Sequence, residues 1–332
     1  MYWKYNEVIP NQEWIANINA KNFDEIALNV FRYQFENNQL YREFAQLLKK
    51  TPDSVGKITD IPFLPIHFFK THTVKTGTFD TNLIFESSGT TSTVNSQHFV
   101  KDSALYTASF LKGFEMYYGN PKDYVFLCLL PSYLERNNSS LVYMAKELIA
   151  QSNHSESGFY LNEWEALADK IKQIQAQGKK YILLGVTFAL LDFADAYPID
   201  MTGIIVMETG GMKGRKEEMT RQQVHEHLQK AWQLDQIHSE YGMTELLSQA
   251  YSKENGIFYP GNSMKTLIRS LEDPLEIRQK GKGVLNIIDL ANVYSCSFIA
   301  TEDMGYIFED GSFEVRGRLD LSALRGCSLM AL

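Results

Sequence analysis

Five short stretches of this chain carry residue types suited to holding a phosphorylated substrate, and a sixth carries a thiol. In Ser87-Ser88-Gly89-Thr90-Thr91-Ser92, hydroxyls surround a glycine. Such a loop can wrap backbone N–H and O–H donors round a phosphate chain, or it is an ordinary Ser/Thr turn. It is not a Walker loop, because it lacks the Gly-Lys-Ser/Thr ending with a helix directly behind. Glu208-Thr209-Gly210-Gly211-Met212-Lys213-Gly214-Arg215 puts paired glycines at a strand exit, where ligands bind in parallel sheets. Lys213 and Arg215 can there meet anionic oxygens; a plain strand-to-helix turn is the alternative. In Tyr241-Gly242-Met243-Thr244-Glu245, one carboxylate after a glycine turn can hold Mg²⁺ while phosphate oxygens complete its shell. Tyr241 offers a ring to a base; alternatively Thr244 and Glu245 begin a helix.

Asp303, in Thr301-Glu302-Asp303-Met304-Gly305-Tyr306, can accept from both hydroxyls of a ribose. Arg318, in Gly317-Arg318-Leu319-Asp320, can grip a phosphate bidentately; both patterns also occur in β-turns. Cys327 lies in Leu324-Arg325-Gly326-Cys327-Ser328-Leu329-Met330. A cationic neighbour favours the nucleophilic thiolate, whereas an isolated cysteine is otherwise a small apolar residue. His225 and His227 face different ways on a helix and make poor metal partners. Neither zinc spacing nor a serine-hydrolase elbow is present.

These stretches need a scaffold, and the pattern supplies one. Residues 1–80 read as a helical region: Asn22 with Glu25 forms a capping box, and apolar residues recur from Ile26 to Leu48 at helical spacing until Thr51-Pro52 closes the run. Residues 61–66 are extended by their prolines. From 81 to 255, strands at 83–85, 97–100, 124–130, 181–185, 204–207 and 236–239 alternate with helices at 103–117, 163–177 and 221–233, the rhythm of an α/β core with a mainly parallel sheet. From 256 to 332 the chain turns β-rich, with strands at 284–288, 294–300, 306–308 and 313–315.

With 332 residues and three cysteines, Cys128, Cys296 and Cys327, the chain suits a reducing compartment and has no disulfide framework. No secretory pattern opens it and no apolar run spans a bilayer, so a cytoplasmic protein is expected. A net charge of -8 argues against nonspecific nucleic-acid binding.

Taken in order, the five stretches resemble the adenylate-forming enzymes over residues 80–320. Ser87 to Ser92 is similar to their Ser-Ser-Gly-Thr-Thr-Gly phosphate loop, and Tyr241 to Glu245 to their Tyr-Gly-x-Thr-Glu motif. Thr301 to Gly305 resembles Thr-Gly-Asp-x-Gly, Gly317-Arg318-x-Asp320 the Gly-Arg-x-Asp hinge, and Gly210-Gly211 the adenine-side glycines. Phe63-Leu64-Pro65-Ile66, Leu130-Pro131-Ser132-Tyr133-Leu134-Glu135-Arg136, the run through Lys213 and the Arg-Gly-Cys-Ser-Leu tail more closely resemble the acyl-protein synthetases (LuxE-type) of bacterial bioluminescence.

That resemblance implies an adenylate-forming α/β core that uses ATP and Mg²⁺. Ser87, Ser88, Gly89, Thr90, Thr91, Gly210, Gly211, Tyr241, Gly242, Met243, Thr244, Asp303 and Arg318 would bind the nucleotide, with Glu245 on the metal. It implies activation of a carboxylic acid, fatty or aryl, to acyl-AMP, then transfer to Cys327 and on to a partner reductase. Ser92 stands where the family has Gly, Glu302 replaces the Gly before Asp303, and the C-terminal lysine domain of typical members is expected to be lacking. Lys213 is the candidate to replace that lysine. A coenzyme A or carrier-protein ligase, or a non-catalytic nucleotide-binding fold, are the alternatives.

Overall fold

The computed structural model describes residues 10–81, 83–87, 94–130, 138–210 and 219–319. Its N-terminal part holds α1 (Gln12–Asn17), α2 (Phe23–Asn37), α3 (Gln39–Leu47), β1 (Leu64–Pro65) and α4 (Phe68–Thr71). The apolar periodicity predicts one helix through Leu48, but Asn38 is extended and divides it, its side chain accepting from Tyr41 N to start α3. The break brings the Asn38 amide onto the Ser295 carbonyl at 3.0 Å. Gln34, buried on α2, donates to the Val293 carbonyl and accepts from Ser297 N. A buried amide without partners costs about 1–3 kcal/mol, so these contacts fix where the N-terminal helices sit. The capping box expected at Asn22 does not form; Asn22 makes no side-chain cap, and its Oδ1 accepts from Asn19 N instead.

An antiparallel hairpin, β2 (Leu83–Glu86) and β3 (Gln97–Val100), stands apart from the main sheet. After it come α5 (Ser103–Tyr118), its N-cap Asp102 accepting from Ala104 N, then β4 (Val125–Leu129), α6 (Ser140–Ser152), β5 (Gly158–Tyr160), α7 (Trp164–Ala176) and β6 (Tyr181–Val186). The chain continues through α8 (Thr187–Ala196), β7 (Ile205–Thr209), α9 (Arg221–Trp232) and β8 (His238–Tyr241). Strands β4 and β6 are buried along their whole length, as unbroken apolar runs predict for parallel strands covered on both faces. The parallel layer runs β5-β4-β6-β7-β8.

Beyond β8 the sheet continues antiparallel through β9 (Ala250–Ser252), β10 (Ile257–Pro260), β11 (Met264–Arg269), β12 (Ile277–Arg278), β13 (Gly281–Asp289), β14 (Phe298–Ile307) and β15 (Phe313–Arg318). In space the order is β12-β11-β13-β14-β15-β10-β9-β8, and β1 pairs in parallel with β14, making one sheet of 13 strands among the described residues. The segments expected as strands at 294–300 and 306–308 are largely one strand, β14. Asp303 therefore lies inside a ladder rather than in a turn. Among the described residues no helix is long and apolar enough to cross a membrane.

Candidate functional site

The parallel layer delivers two of the sequence motifs to one edge. Thr209 on β7 pairs with Glu240 on β8, so Gly210 and Tyr241 leave neighbouring strand ends side by side, at the carboxyl edge where open α/β sheets bind ligands. Gly210 turns the chain with φ +75°, a conformation that favours glycine. Behind it Glu208 is clasped by Arg221 at 3.2 Å and Thr187 at 3.0 Å. Burial raises the Glu208 carboxyl, but His225, Arg221 and Ser239 outweigh it and hold its pKa below the usual value.

Tyr241 does not present an open ring face. Its ring packs against Phe258 and Phe313, with centroids 5.8 and 5.4 Å away, and its hydroxyl donates to Asp303 Oδ2 at 2.8 Å. Asp303 sits opposite Arg318 in the β14–β15 ladder, and Arg318 Nε donates to its other oxygen at 3.2 Å. The ladder slips between Met304 and Gly305; a Cβ on Gly305 would lie 2.3 Å from the Glu314 carbonyl oxygen. Such a bulge re-aims the side chains beside it. Asp303 is buried to 8 % exposure while most of the Arg318 side chain faces water. The cluster thus presents a buried carboxylate beside an exposed cation.

Glu245 follows in a loop held by four residues from two other stretches of the chain, 96–98 and 289–292. Leu246 N closes a turn onto the Met243 carbonyl, so the helix start considered for Thr244 and Glu245 does not occur. His98 Nδ1 contacts the Thr244 carbonyl at 2.8 Å, and Asn292 Nδ2 donates to the Glu245 carbonyl at 2.7 Å. Asp289 accepts from Leu247 N and Ser248 Oγ. The Glu245 carboxyl is buried, which raises its pKa; Ser96 hydrogen-bonds it, and Arg318 and Lys70 add opposing positive potential.

Ser96 in turn belongs to the stem of the Ser/Thr loop, where Ser96 N donates to Ser87 Oγ at 2.9 Å and Ser87 N to the Ser96 carbonyl at 3.1 Å. The stem of one motif therefore touches the carboxylate of another across about 150 residues of sequence. Ser88, Gly89, Thr90, Thr91, Gly211, Lys213 and Cys327 lie outside the described residues. Sequence reasoning missed Ser96, His98, Asn292 and Lys70. None stands in a recognisable motif; each acts on the Glu245 loop, by hydrogen bonds from Ser96, His98 and Asn292 and by charge from Lys70.

His98 shows the electrostatic demands of this region. It is fully buried, and burial pushes its pKa down to about 4. Yet its second nitrogen lies 2.8 Å from Asn292 Oδ1, so both ring nitrogens face oxygens. Turning the Asn292 amide would relieve that contact and set its oxygen against the Glu245 carbonyl. A neutral ring is one proton short of satisfying every partner.

On the opposite face of β8, Glu240 is fully buried and accepts from the Thr209 hydroxyl. Burial, with Glu208 nearby, pushes its pKa up to about 7. A carboxyl with a raised folded pKa contributes stability at pH below its unfolded value of about 4.3 and loses it as pH rises through about 7. Glu240→Gln is therefore expected to melt higher than wild type at pH 8, by on the order of 3 kcal/mol, and to match it at pH 4. Thermal melts at the two pH values check this; an equal difference at both would refute it.

The family model described as acyl-protein synthetase, LuxE, matches residues 10–331. No curated protein sequence matches the chain at a significant level. Among solved structures, 2-hydroxyisobutyryl-CoA ligase in complex with 2-HIB-AMP and CoA superposes with a TM-score of 0.64 at 11 % identity, covering 97 % of this chain and 76 % of that one. O-succinylbenzoate coenzyme A synthetase (MenE) from Bacillus subtilis, in complex with AMP, gives 0.50 at 15 % identity, covering 82 % and 53 %. McyG A-PCP complexed with phenylalanyl-adenylate gives 0.50 at 16 %, covering 90 % and 55 %. The chain spans about half the length of the last two. At these identities the likeness shows the fold, a mixed α/β core resembling the N-terminal part of adenylate-forming enzymes.

Proposed function

We propose, because this chain belongs to the acyl-protein synthetase (LuxE) family, that it activates a carboxylic acid with ATP and passes the acyl group to the thiol of Cys327. The observation that supports this reading is the joining of dispersed motifs: Ser87 and Ser96 at the loop stem, Glu245 against Ser96, and Tyr241, Asp303 and Arg318 in one hydrogen-bonded cluster.

In the first step a carboxylate oxygen attacks the α-phosphorus of ATP, and pyrophosphate leaves. Asp303, held by Tyr241 and Arg318, is the acceptor for the ribose hydroxyls. Gly210 and the hydroxyl loop from Ser87 to Thr91 surround the phosphates and adenine, together with Gly211 and the Gly242-Met243-Thr244 turn. The buried Glu245 carboxylate, hydrogen-bonded on one side by Ser96, suits Mg²⁺, which takes one or two carboxylates plus phosphate oxygens. When bound, that ion would neutralise charge on the phosphates. Lys213 is proposed to meet the α-phosphate. Catalysis would rest on positioning and charge neutralisation.

In the second step the Cys327 thiolate attacks the acyl carbonyl, AMP departs with the bonding electrons, and a thioester remains. The acid is proposed to be fatty or aryl, the final acceptor a reductase or carrier protein, and the compartment the cytoplasm.

Intact-mass measurement after incubation with Mg-ATP and a panel of fatty and aryl acids tests the scheme. An acyl-sized increase removed by hydroxylamine is expected. Pyrophosphate release with no increase would assign the acyl group to an external thiol instead, and neither signal with any acid would refute adenylation. Within the nucleotide site, Tyr241→Phe removes only the hydroxyl that aligns Asp303. It should raise the KM for ATP about tenfold, the worth of one hydrogen bond to a charged group, while a purely structural role would lower stability and leave KM unchanged.

A further inference from the structure

A groove of about 680 Å³ opens between the N-terminal segment and the antiparallel strands. Its walls include Phe44, Phe63, Ile66, Leu271, Leu275 and Ala300. Leu271 and Leu275 are 53 % and 65 % exposed, and Leu47, beside the groove residue Leu48, is 83 % exposed. Half of the six exposed large apolar side chains among the described residues thus gather here. Contiguous apolar surface of this kind is rare on a monomer without an occupant.

Leu319 supplies the clue to that occupant. It lines the groove, its N–H donates to the Glu302 carbonyl at 2.7 Å, and it is the last described residue. The chain then continues through Leu321, Ala323, Leu324, Cys327, Leu329 and Met330, an apolar run that starts inside an apolar groove. We propose that this groove is the docking site of the chain's own residues 320–332. Leu321 and Leu324 follow directly from Leu319 and fill it. Cys327, eight residues beyond Leu319, stays within an extended reach of about 27 Å. The docked segment is a resting position from which the thiol can leave for the nucleotide site, and docking does not depend on the acyl chemistry proposed for Cys327.

Disulfide trapping in the full-length chain tests this. Cys128 and Cys296 are buried, and burial pushes both thiols up to about 12, so Cys327 has no internal competitor. Leu271→Cys and Leu275→Cys place single thiols on the groove rim, and Met116→Cys, on α5, places one elsewhere at 49 % exposure. With oxidised glutathione, monomeric disulfides between Cys327 and the rim should form about tenfold faster than with position 116, the gain expected when a tethered partner is held rather than free. Adding Leu321→Asp and Leu324→Asp should abolish that preference. Equal rates at rim and control would overturn the proposal. So would disulfide-linked dimers in place of monomers, which would assign the groove to a second copy, or a rim preference untouched by the aspartates.

Discussion

Replacing Glu245 with Gln is expected to slow acid-dependent exchange of pyrophosphate into ATP by two to three orders of magnitude. The change is nearly isosteric, so Ser96 keeps a hydrogen-bond partner and the loop keeps its ties to His98 and Asn292. What disappears is one negative charge in a buried position. Removing a single preorganised electrostatic contact from a water-poor site typically costs 10²- to 10³-fold in rate, and a carboxamide binds Mg²⁺ far less well than a carboxylate. Because burial disfavours the ionised carboxyl, the substitution should leave the melting temperature unchanged or raise it at neutral pH. Exchange at the wild-type rate would remove Glu245 from the mechanism. A collapse of both stability and exchange would mark it as a structural residue.

Replacing Cys327 with Ser should abolish the hydroxylamine-labile acyl adduct while leaving exchange within about twofold of wild type. Exchange reports only adenylation, in which the thiol has no part. Acyl transfer needs the thiolate, and a hydroxyl at neutral pH is a far weaker nucleophile. The other two cysteines cannot substitute: both are fully buried and their thiols are pushed up to about 12. A serine variant that still acquires the adduct would move the acceptor to another side chain. One that loses exchange as well would place Cys327 inside the adenylation site.

How much of this was legible beforehand depends on the range of the interactions involved. The parallel strands announced themselves, because a strand buried on both faces reads as an apolar run, as in Val125–Leu129. The helix read at 103–117 was legible too, because its apolar pattern is local and its cap is a contact between Asp102 and Ala104 two residues on. What the division at Asn38 achieves was invisible, since the carbonyl its amide meets lies 257 residues away. The same holds within the candidate site. Motif spacing singled out Tyr241, Glu245, Asp303 and Arg318, whose hydrogen bonding is now visible. It could not single out Ser96, His98 or Asn292, each of which makes a contact across 146 residues or more. Nor could it foresee that the Tyr241 ring would be enclosed by Phe258 and Phe313.

The parallel pairing of β1 with β14 bears on the order in which the chain can become a protein. During synthesis the first strand emerges more than 230 residues before its partner. Until then Gln34 and Asn38 have no carbonyls to meet, and Phe31 lacks the Phe298 ring it packs against. Contacts this distant are entropically expensive and slow to close. The helical segment made first is therefore among the last to lock, and a ribosome stalled before residue 300 would hold a chain whose opening quarter is still exposed to chaperones and proteases.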